Sequence, residues 1–267
     1  GGARPPQSRS LRSASQRHGR RASGSTSAST PGSASGLPQQ GLRCWPGLPS
    51  PERIATAEEA LRVSADLPYS PEEYCQEADA LRLACPEAVW QRAGKPDKIS
   101  LGPRAKPEDW FKYRAVCPKI LTTAELLLRS FSDQHVEVSF GDVLDYRDGQ
   151  LLGWHQDSMD LNRHTFTAVL TLFDDGEGRF EWREIAADGL SLGSVVASGQ
   201  LGPGSLAIHG LTCNNLLAHR AFWDHGRRVA LVLFGRSDEL AALLVEQGIR
   251  SSITMRHWWS KDLETER

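Results

Sequence analysis

At 267 residues the chain has room for one sizeable domain or two small ones. With 39% hydrophobic and 24% charged side chains its composition is that of an ordinary globular protein, and no apolar run approaches the roughly 20 residues that a bilayer span needs, so no transmembrane helix is expected. Residues 1–50 hold seven Arg and no Asp, Glu or Lys, which leaves 24 basic and 33 acidic side chains on residues 51–267, a balance of −9 that makes the folded part a poor general nucleic-acid binder.

The stretch 1–50 is rich in Ser, Gly, Pro and Arg and nearly devoid of large apolar residues. It cannot bury enough surface to offset its ordering entropy and is expected to be a disordered tail. The lack of an initiator Met fits a fragment or a processed chain, and the acid-free, Arg- and Ser-rich composition fits an organelle transit peptide as well as a plain linker. Five scattered cysteines, Cys44, Cys75, Cys85, Cys117 and Cys213, form no CxxC pair, as expected of reduced thiols in an intracellular protein.

Order is expected from Pro51 onward. Thr56 to Val63 reads as a helix, with Thr56 and Glu59 at capping-box spacing. Ser70 to Ala84 reads as a second, with Pro71 at its first position and Glu72 and Glu73 at the positive end of its dipole. Ala124, Leu127, Leu128 and Phe131 give an apolar stripe at helical spacing over Thr122 to Phe131. From His135 to Phe140 the pattern changes to polar–apolar alternation, the mark of a half-buried strand. Further strands are predicted at Thr165–Phe173, Arg179–Glu184, Ser194–Ala197, Ser205–Ile208 and Arg228–Phe234, with a last helix over Asp238–Gln247. Turn signals at Asp148-Gly149, Asp174-Asp175-Gly176, Asp188-Gly189 and Gly202-Pro203-Gly204 separate them. Helices first and short strands afterwards predict an α+β, mainly β chain, an antiparallel barrel or jelly roll buttressed by N-terminal helices.

Three features point to chemistry. In Gly153-Trp154-His155-Gln156-Asp157 a His and an Asp two residues apart at a strand end face the same side. His219 follows before another turn, and two His with one carboxylate make a facial triad that leaves open positions on a ferrous ion. Arg228 opens an apolar strand, where a buried guanidinium needs an anion and suits a carboxylate. His209, at the end of its own strand, competes with His219 as distal ligand, with a core histidine as its plainer reading. Arg227 should face the opposite way from Arg228, toward solvent or substrate. Glu177, Arg179, Glu181 and Arg183 alternate on a strand and read as a solvated face with cross-strand pairs.

These residues resemble the 2-oxoglutarate- and Fe(II)-dependent dioxygenase superfamily over about Val136 to Gly235. Tyr146-Arg147-Asp148-Gly149-Gln150-Leu151-Leu152-Gly153-Trp154-His155-Gln156-Asp157 looks like its Y-x-x-G-x-x-x-x-x-H-x-D segment. Thr167 to Leu172 with Gly178 to Trp182, and Gly202 to His209, look like its following strands. The nine-residue step from His219 to Arg228 is similar to that of prolyl-hydroxylase-like members. The resemblance implies a double-stranded β-helix spanning 134–236, supported by helices in 51–133 and followed by a C-terminal helix and tail over 237–267. It implies Fe(II) on His155, Asp157 and His219, 2-oxoglutarate on Arg228 with Tyr146 and Thr171 beside its carboxylates, dioxygen as oxidant and ascorbate as reductant. AlkB-type nucleic-acid dealkylases share the HxD pair, and Arg236 would be their co-substrate Arg counted from His219. A cupin-like barrel that binds metal without catalysis is the other alternative. The substrate is open among protein side chains, nucleobases and small molecules.

Overall fold

The computed structural model describes residues 56–61, 63–101, 113–131, 136–176, 178–223, 225–248 and 256–257. The Arg-rich tail, with Cys44, and the tryptophan pair Trp258-Trp259 lie outside them. Among the described residues no helix is long and apolar enough to cross a membrane. Among the described residues Cys75, Cys85, Cys117 and Cys213 form no disulfide.

The chain enters through a short helix, α1 (Ala57–Ala60), and a two-residue strand, β1 (Val63–Ser64), so the predicted helix stops before Val63. Helix α2 (Pro71–Ala84) starts as its sequence dictates: Ser70 Oγ accepts from Glu73 N while Glu73 Oε2 accepts from Ser70 N, a reciprocal capping box. Its Tyr74, Ala78 and Leu81 are buried. So is Glu77, whose carboxylate accepts from Lys119 N and Ile120 N at 2.8–3.0 Å. Those amides belong to the first turn of α3 (Pro118–Phe131), which begins four residues before the predicted Thr122. A buried carboxylate at a helix N-terminus meets the orphan amides and the positive dipole end together. Between the helices, β2 (Val89–Trp90) and β3 (Asp97–Ser100) form a hairpin that the sequence pattern did not reveal.

The strands then follow as β4 (Val136–Tyr146), β5 (Leu151–Gln156), β6 (Phe166–Asp174), β7 (Arg179–Ile185), β8 (Leu192–Gln200) and β9 (Ser205–Gly210). A helical turn, α4 (Leu211–Leu216), leads into β10 (Leu217–Phe222), then β11 (Arg228–Ser237) and α5 (Asp238–Glu246). Ser237 caps α5 by accepting from Leu240 N at 3.2 Å. A final pair, β12 (Arg256–His257), adds to the edge of β5.

All pairings are antiparallel and make two sheets, ordered β1-β9-β6-β11-β4-β3-β2 and β12-β5-β10-β7-β8. From β4 to β11 the chain changes sheet at every connection except β7 to β8. Alternation along the central strands of the larger sheet gives it two characters. Val143, Leu170, Leu231 and Leu233, all buried, belong to the main core with Leu81, Ile120 and Leu127 of α2 and α3. The intervening positions, among them Tyr146, Thr167, Val169, Arg228 and Val232, turn to a cavity between the sheets.

Candidate metal centre

The cavity measures about 470 Å³ and reaches from the β2–β3 hairpin down to Arg228. On its smaller-sheet side, β5 and β10 run antiparallel with His155 directly opposite His219. Asp157 follows the end of β5, so one strand supplies two of the three groups. The donor atoms of His155, Asp157 and His219 all lie within 4.8 Å of one another, and all three residues are buried. His155 Nε2 is 3.5 Å from Asp157 Oδ1, and His219 Nε2 is 3.8 Å from Oδ2.

The surroundings fix His155 and Asp157. His155 Nδ1 lies 2.7 Å from Gly153 O, a carbonyl that can only accept, so the proton sits on Nδ1 and Nε2 keeps its lone pair for a metal. The Asn214 side chain on α4 brackets Asp157: it accepts from Asp157 N at 2.9 Å and donates to Asp157 O at 2.8 Å. Thr167 Oγ1 donates to Asp157 Oδ2 at 2.9 Å, and His209 Nε2 lies 3.1 Å from the same oxygen. Burial works against the Asp157 carboxylate, but its neighbours His219, His155 and His209 outweigh it and hold the carboxyl well below the usual carboxylate range. Burial first, then neighbouring His155, keeps the His219 ring well below an ordinary histidine. An ionised carboxylate beside a neutral His219 imidazole is a state that takes a divalent cation. The donor set and its protonation therefore fit a first-row metal such as Fe(II).

At the other end, Arg228 is fully buried. Its Nε and Nη2 donate to Thr171 Oγ1 at 3.2 and 3.0 Å. The rings of Tyr146 and Trp223 lie 5.3 and 4.8 Å from its guanidinium carbon. Gly178 makes room for the Trp223 ring: a Cβ there would fall 1.8 Å from it. Burial pushes the Tyr146 phenol up to about 12, so it stays protonated as a donor. Arg228 Nη1 is buried and has no hydrogen-bond partner, and among the described residues no carboxylate forms an ion pair with Arg228. An orphan donor on a buried cation facing a cavity fits the carboxylate of a bound acid.

His155, Asp157, His219, Tyr146 and Arg228 thus line one cavity, and Thr171 joins them as Arg228's acceptor rather than as a lining group. His209 does not line the cavity, and the histidine whose donor atom gathers with those of His155 and Asp157 is His219. Arg227 does face away from Arg228, but toward neither solvent nor substrate. It binds Asp79 of α2 and Asp145 of β4 at 2.8 Å each. Arg236 donates to Leu161 O at 3.1 Å and pairs with Asp238, away from the cavity lining. Glu181 pairs across the sheet with Arg220 at 2.8 Å, as expected, and Arg220 and Arg183 stack over Trp154 at 4.6 and 5.0 Å.

No family model and no curated protein matches the chain. Solved structures do. A prolyl-4-hydroxylase from Pseudomonas putida is similar at 16% identity and TM-score 0.41, over 65% of this chain and 91% of that one. A Trichoplax adhaerens prolyl hydroxylase, solved with a peptide of hypoxia inducible factor, is similar at 15% identity and TM-score 0.39, over 65% and 80%. The non-heme alpha-ketoglutarate-dependent epimerase SnoN of nogalamycin biosynthesis is similar at 16% identity and TM-score 0.40, over 70% and 82%. Likeness of this order concerns the course of the chain and says nothing of substrate.

Proposed function

We propose that this protein is an Fe(II)- and 2-oxoglutarate-dependent dioxygenase that hydroxylates, or oxidatively demethylates, its substrate on a double-stranded β-helix. The catalytic domain is 51–236, with 1–50 a tail and 237–267 a C-terminal helix and extension. The observation that carries this reading is Arg228, a fully buried cation with a bare Nη1 in the same cavity as three converging metal donors. A barrel that only binds metal, as in a cupin, has no use for it. The dealkylase reading needs Arg236 as the Arg that faces the co-substrate, and Arg236 is engaged elsewhere.

His155, Asp157 and His219 would hold Fe(II), which with 2-oxoglutarate and dioxygen supplies the oxidising power when bound. The chain's own work is placement. Gly153 O and Asn214 set the two ends of the HxD segment, and Thr167 and His209 aim the carboxylate. Arg228 pairs with the far carboxylate of the 2-oxoacid, with Thr171 orienting its guanidinium and Tyr146 offering a hydroxyl. Leu144, Val169, Val232 and Phe234 wall the space between and keep water from it. Ascorbate would keep the metal reduced.

The test is succinate formation by purified protein with Fe(II), 2-oxoglutarate and ascorbate in air, screened against peptide, nucleobase and small-molecule substrates. Turnover should stop in His155→Ala, and in Arg228→Ala it should demand far more 2-oxoglutarate. Tight iron binding with no succinate from any substrate class, and no 2-oxoglutarate binding, would favour the cupin-like alternative.

A further inference from the structure

The face of β4 that borders the cavity carries Asp142, Leu144 and Tyr146 at alternate positions. Tyr146 stands opposite Arg228 at the deep end. Asp142 lies two alternations up the same strand, about 13 Å away at ~3.3 Å per residue, and so clear of the end assigned to the 2-oxoacid. Its neighbours across the larger sheet are Ser100 on β3 and Val232 on β11, and Val232 in turn faces Val169 on β6. The next inward residue of β6 is Thr167, which donates to the metal carboxylate Asp157. Asp142 therefore flanks the metal centre on the cavity wall, about 10 Å, or two strand spacings, from Val169.

A carboxylate is out of keeping with this wall, where Leu144, Val169 and Val232 are apolar. Asp142 is only 2% exposed. Lys98 Nζ lies 2.8 Å from its Oδ2, and the Ser100 hydroxyl also bears on the carboxyl. Oδ1 is buried and has no hydrogen-bond partner among the described residues. Rotating the group exchanges the two oxygens and still leaves one bare. The Lys98 side chain is 47% exposed, and an ion pair with so exposed a partner contributes little to the fold. Structure alone thus does not account for the carboxylate. An ionised carboxylate accepts at both oxygens and donates at neither, so what Oδ1 lacks is a donor. Burial pushes the carboxyl up from its ordinary range, with Lys98 opposing it, and a donor at Oδ1 acts in the same direction as Lys98.

We propose that Asp142 is the substrate-recognition residue: the substrate has an apolar body and presents a neutral N–H donor, such as an amide, to Asp142 Oδ1 beside the metal centre. The donor is neutral because Lys98 already balances the charge of the carboxylate. The assignment rests on the oxygenase reading for the identity of that ligand as substrate.

The test uses the full chain, with and without Fe(II) and saturating 2-oxoglutarate under anaerobic conditions. Three probes are titrated by calorimetry: phenylacetamide, its N,N-dimethyl derivative, which has no N–H, and phenethylamine, a cation. Phenylacetamide should bind at least about tenfold tighter than the dimethyl derivative, the worth of one hydrogen bond to a charged group. Asp142→Leu removes the acceptor at similar volume and should abolish the preference. In Asp142→Asn, Lys98 keeps the amide oxygen, so an NH2 group replaces Oδ1 at the cavity and the preference should vanish there too. Circular dichroism checks that both variants fold, and Asp142→Asn decides alone if Asp142→Leu does not. Equal binding of the two amides, no binding of phenylacetamide, or a preference that survives Asp142→Asn overturns the assignment. Phenethylamine bound tighter than phenylacetamide overturns the neutral donor. A preference kept in Asp142→Asn but lost in Asp157→Asn places the donor at the metal ligand and also overturns it. A chain that binds neither iron nor 2-oxoglutarate yet keeps the Asp142-dependent preference sinks the oxygenase reading and leaves the subsite standing. A chain that binds both and shows no preference does the reverse.

Discussion

His209 Nε2 lies 3.1 Å from Asp157 Oδ2, with no face on the cavity. A carboxylate oxygen can only accept when ionised, so His209 is the donor. Its ring is wedged edge-on against Trp182, centroids 4.9 Å apart, which leaves it little room to turn. The histidine is thus an orienting partner for a ligand, of the kind that raises metal affinity without touching metal. Replacing His209 by Ala should weaken Fe(II) binding by about 10–100-fold, the usual effect of losing such a partner. His209→Gln, which can still donate, should recover part of it. Metal titration checks this; unchanged iron affinity in His209→Ala would make His209 a core residue only.

The carboxylate itself gives a sharper result. Asp157→Asn keeps the shape of the side chain and the backbone clasp from Asn214, but removes the negative charge. Iron affinity and any 2-oxoglutarate turnover should be lost. The metal-free fold should survive, because Leu81, Ile120 and Leu231 anchor the part of the core that lies on the other face of the larger sheet. Far-UV circular dichroism and an iron titration on the same sample separate the two effects. Wild-type iron affinity in Asp157→Asn would remove Asp157 from the ligand set.

What the sequence made legible follows physical range. The α2 capping box and its Pro71 act within one turn, and their pattern was readable residue by residue. The HxD pair and Arg228 stood out because charge and imidazole are out of place beside apolar strands. The short β2–β3 hairpin has no alternation long enough to detect, and α4 with β10 breaks both the helical and the strand period. The partners of Asp157 were hidden for another reason. Asn214 and His209 reach it across 57 and 52 residues, and only the stacking of β6 beside β9 and the turn of α4 bring them together. The expectation that Arg227 faces solvent or substrate fails because its two acids sit on α2 and β4, far away in the chain.

A stability prediction rests on Glu77. Its carboxyl is pushed up by burial, against the lowering effect of the Ile120 and Lys119 amides. The folded state therefore holds a proton there more tightly than the unfolded state does, so this group's contribution is largest at acid pH and declines as pH rises through its unfolded value. Glu77→Ala should destabilise the protein by about 1–3 kcal/mol through stranded α3 amides. Glu77→Gln should retain an acceptor and lose the pH dependence. Urea midpoints at acid and neutral pH measure both; an identical pH slope in Glu77→Gln would show the carboxyl does not contribute.

Adjacent residues Arg227 and Arg228 should respond in opposite ways to the same change. Arg228 faces the cavity with a bare Nη1, and its removal takes away a charge-assisted contact to the 2-oxoacid. Arg228→Ala should weaken 2-oxoglutarate binding by roughly 2–5 kcal/mol, on the order of thirtyfold or more, with iron affinity nearly unchanged. Its Lys variant should restore part of the loss, since a point charge remains but the paired geometry does not. Arg227 instead ties α2 to β4 through Asp79 and fully buried Asp145. Arg227→Ala should lower stability by somewhat less than the roughly 3–5 kcal/mol of a stranded buried charge, because Arg82 and Arg147 still reach Asp145. Its 2-oxoglutarate affinity, measured below the unfolding transition, should stay near wild type. Calorimetric binding and thermal melts on the two variants decide the matter: a co-substrate defect in Arg227→Ala with none in Arg228→Ala would reverse the two assignments.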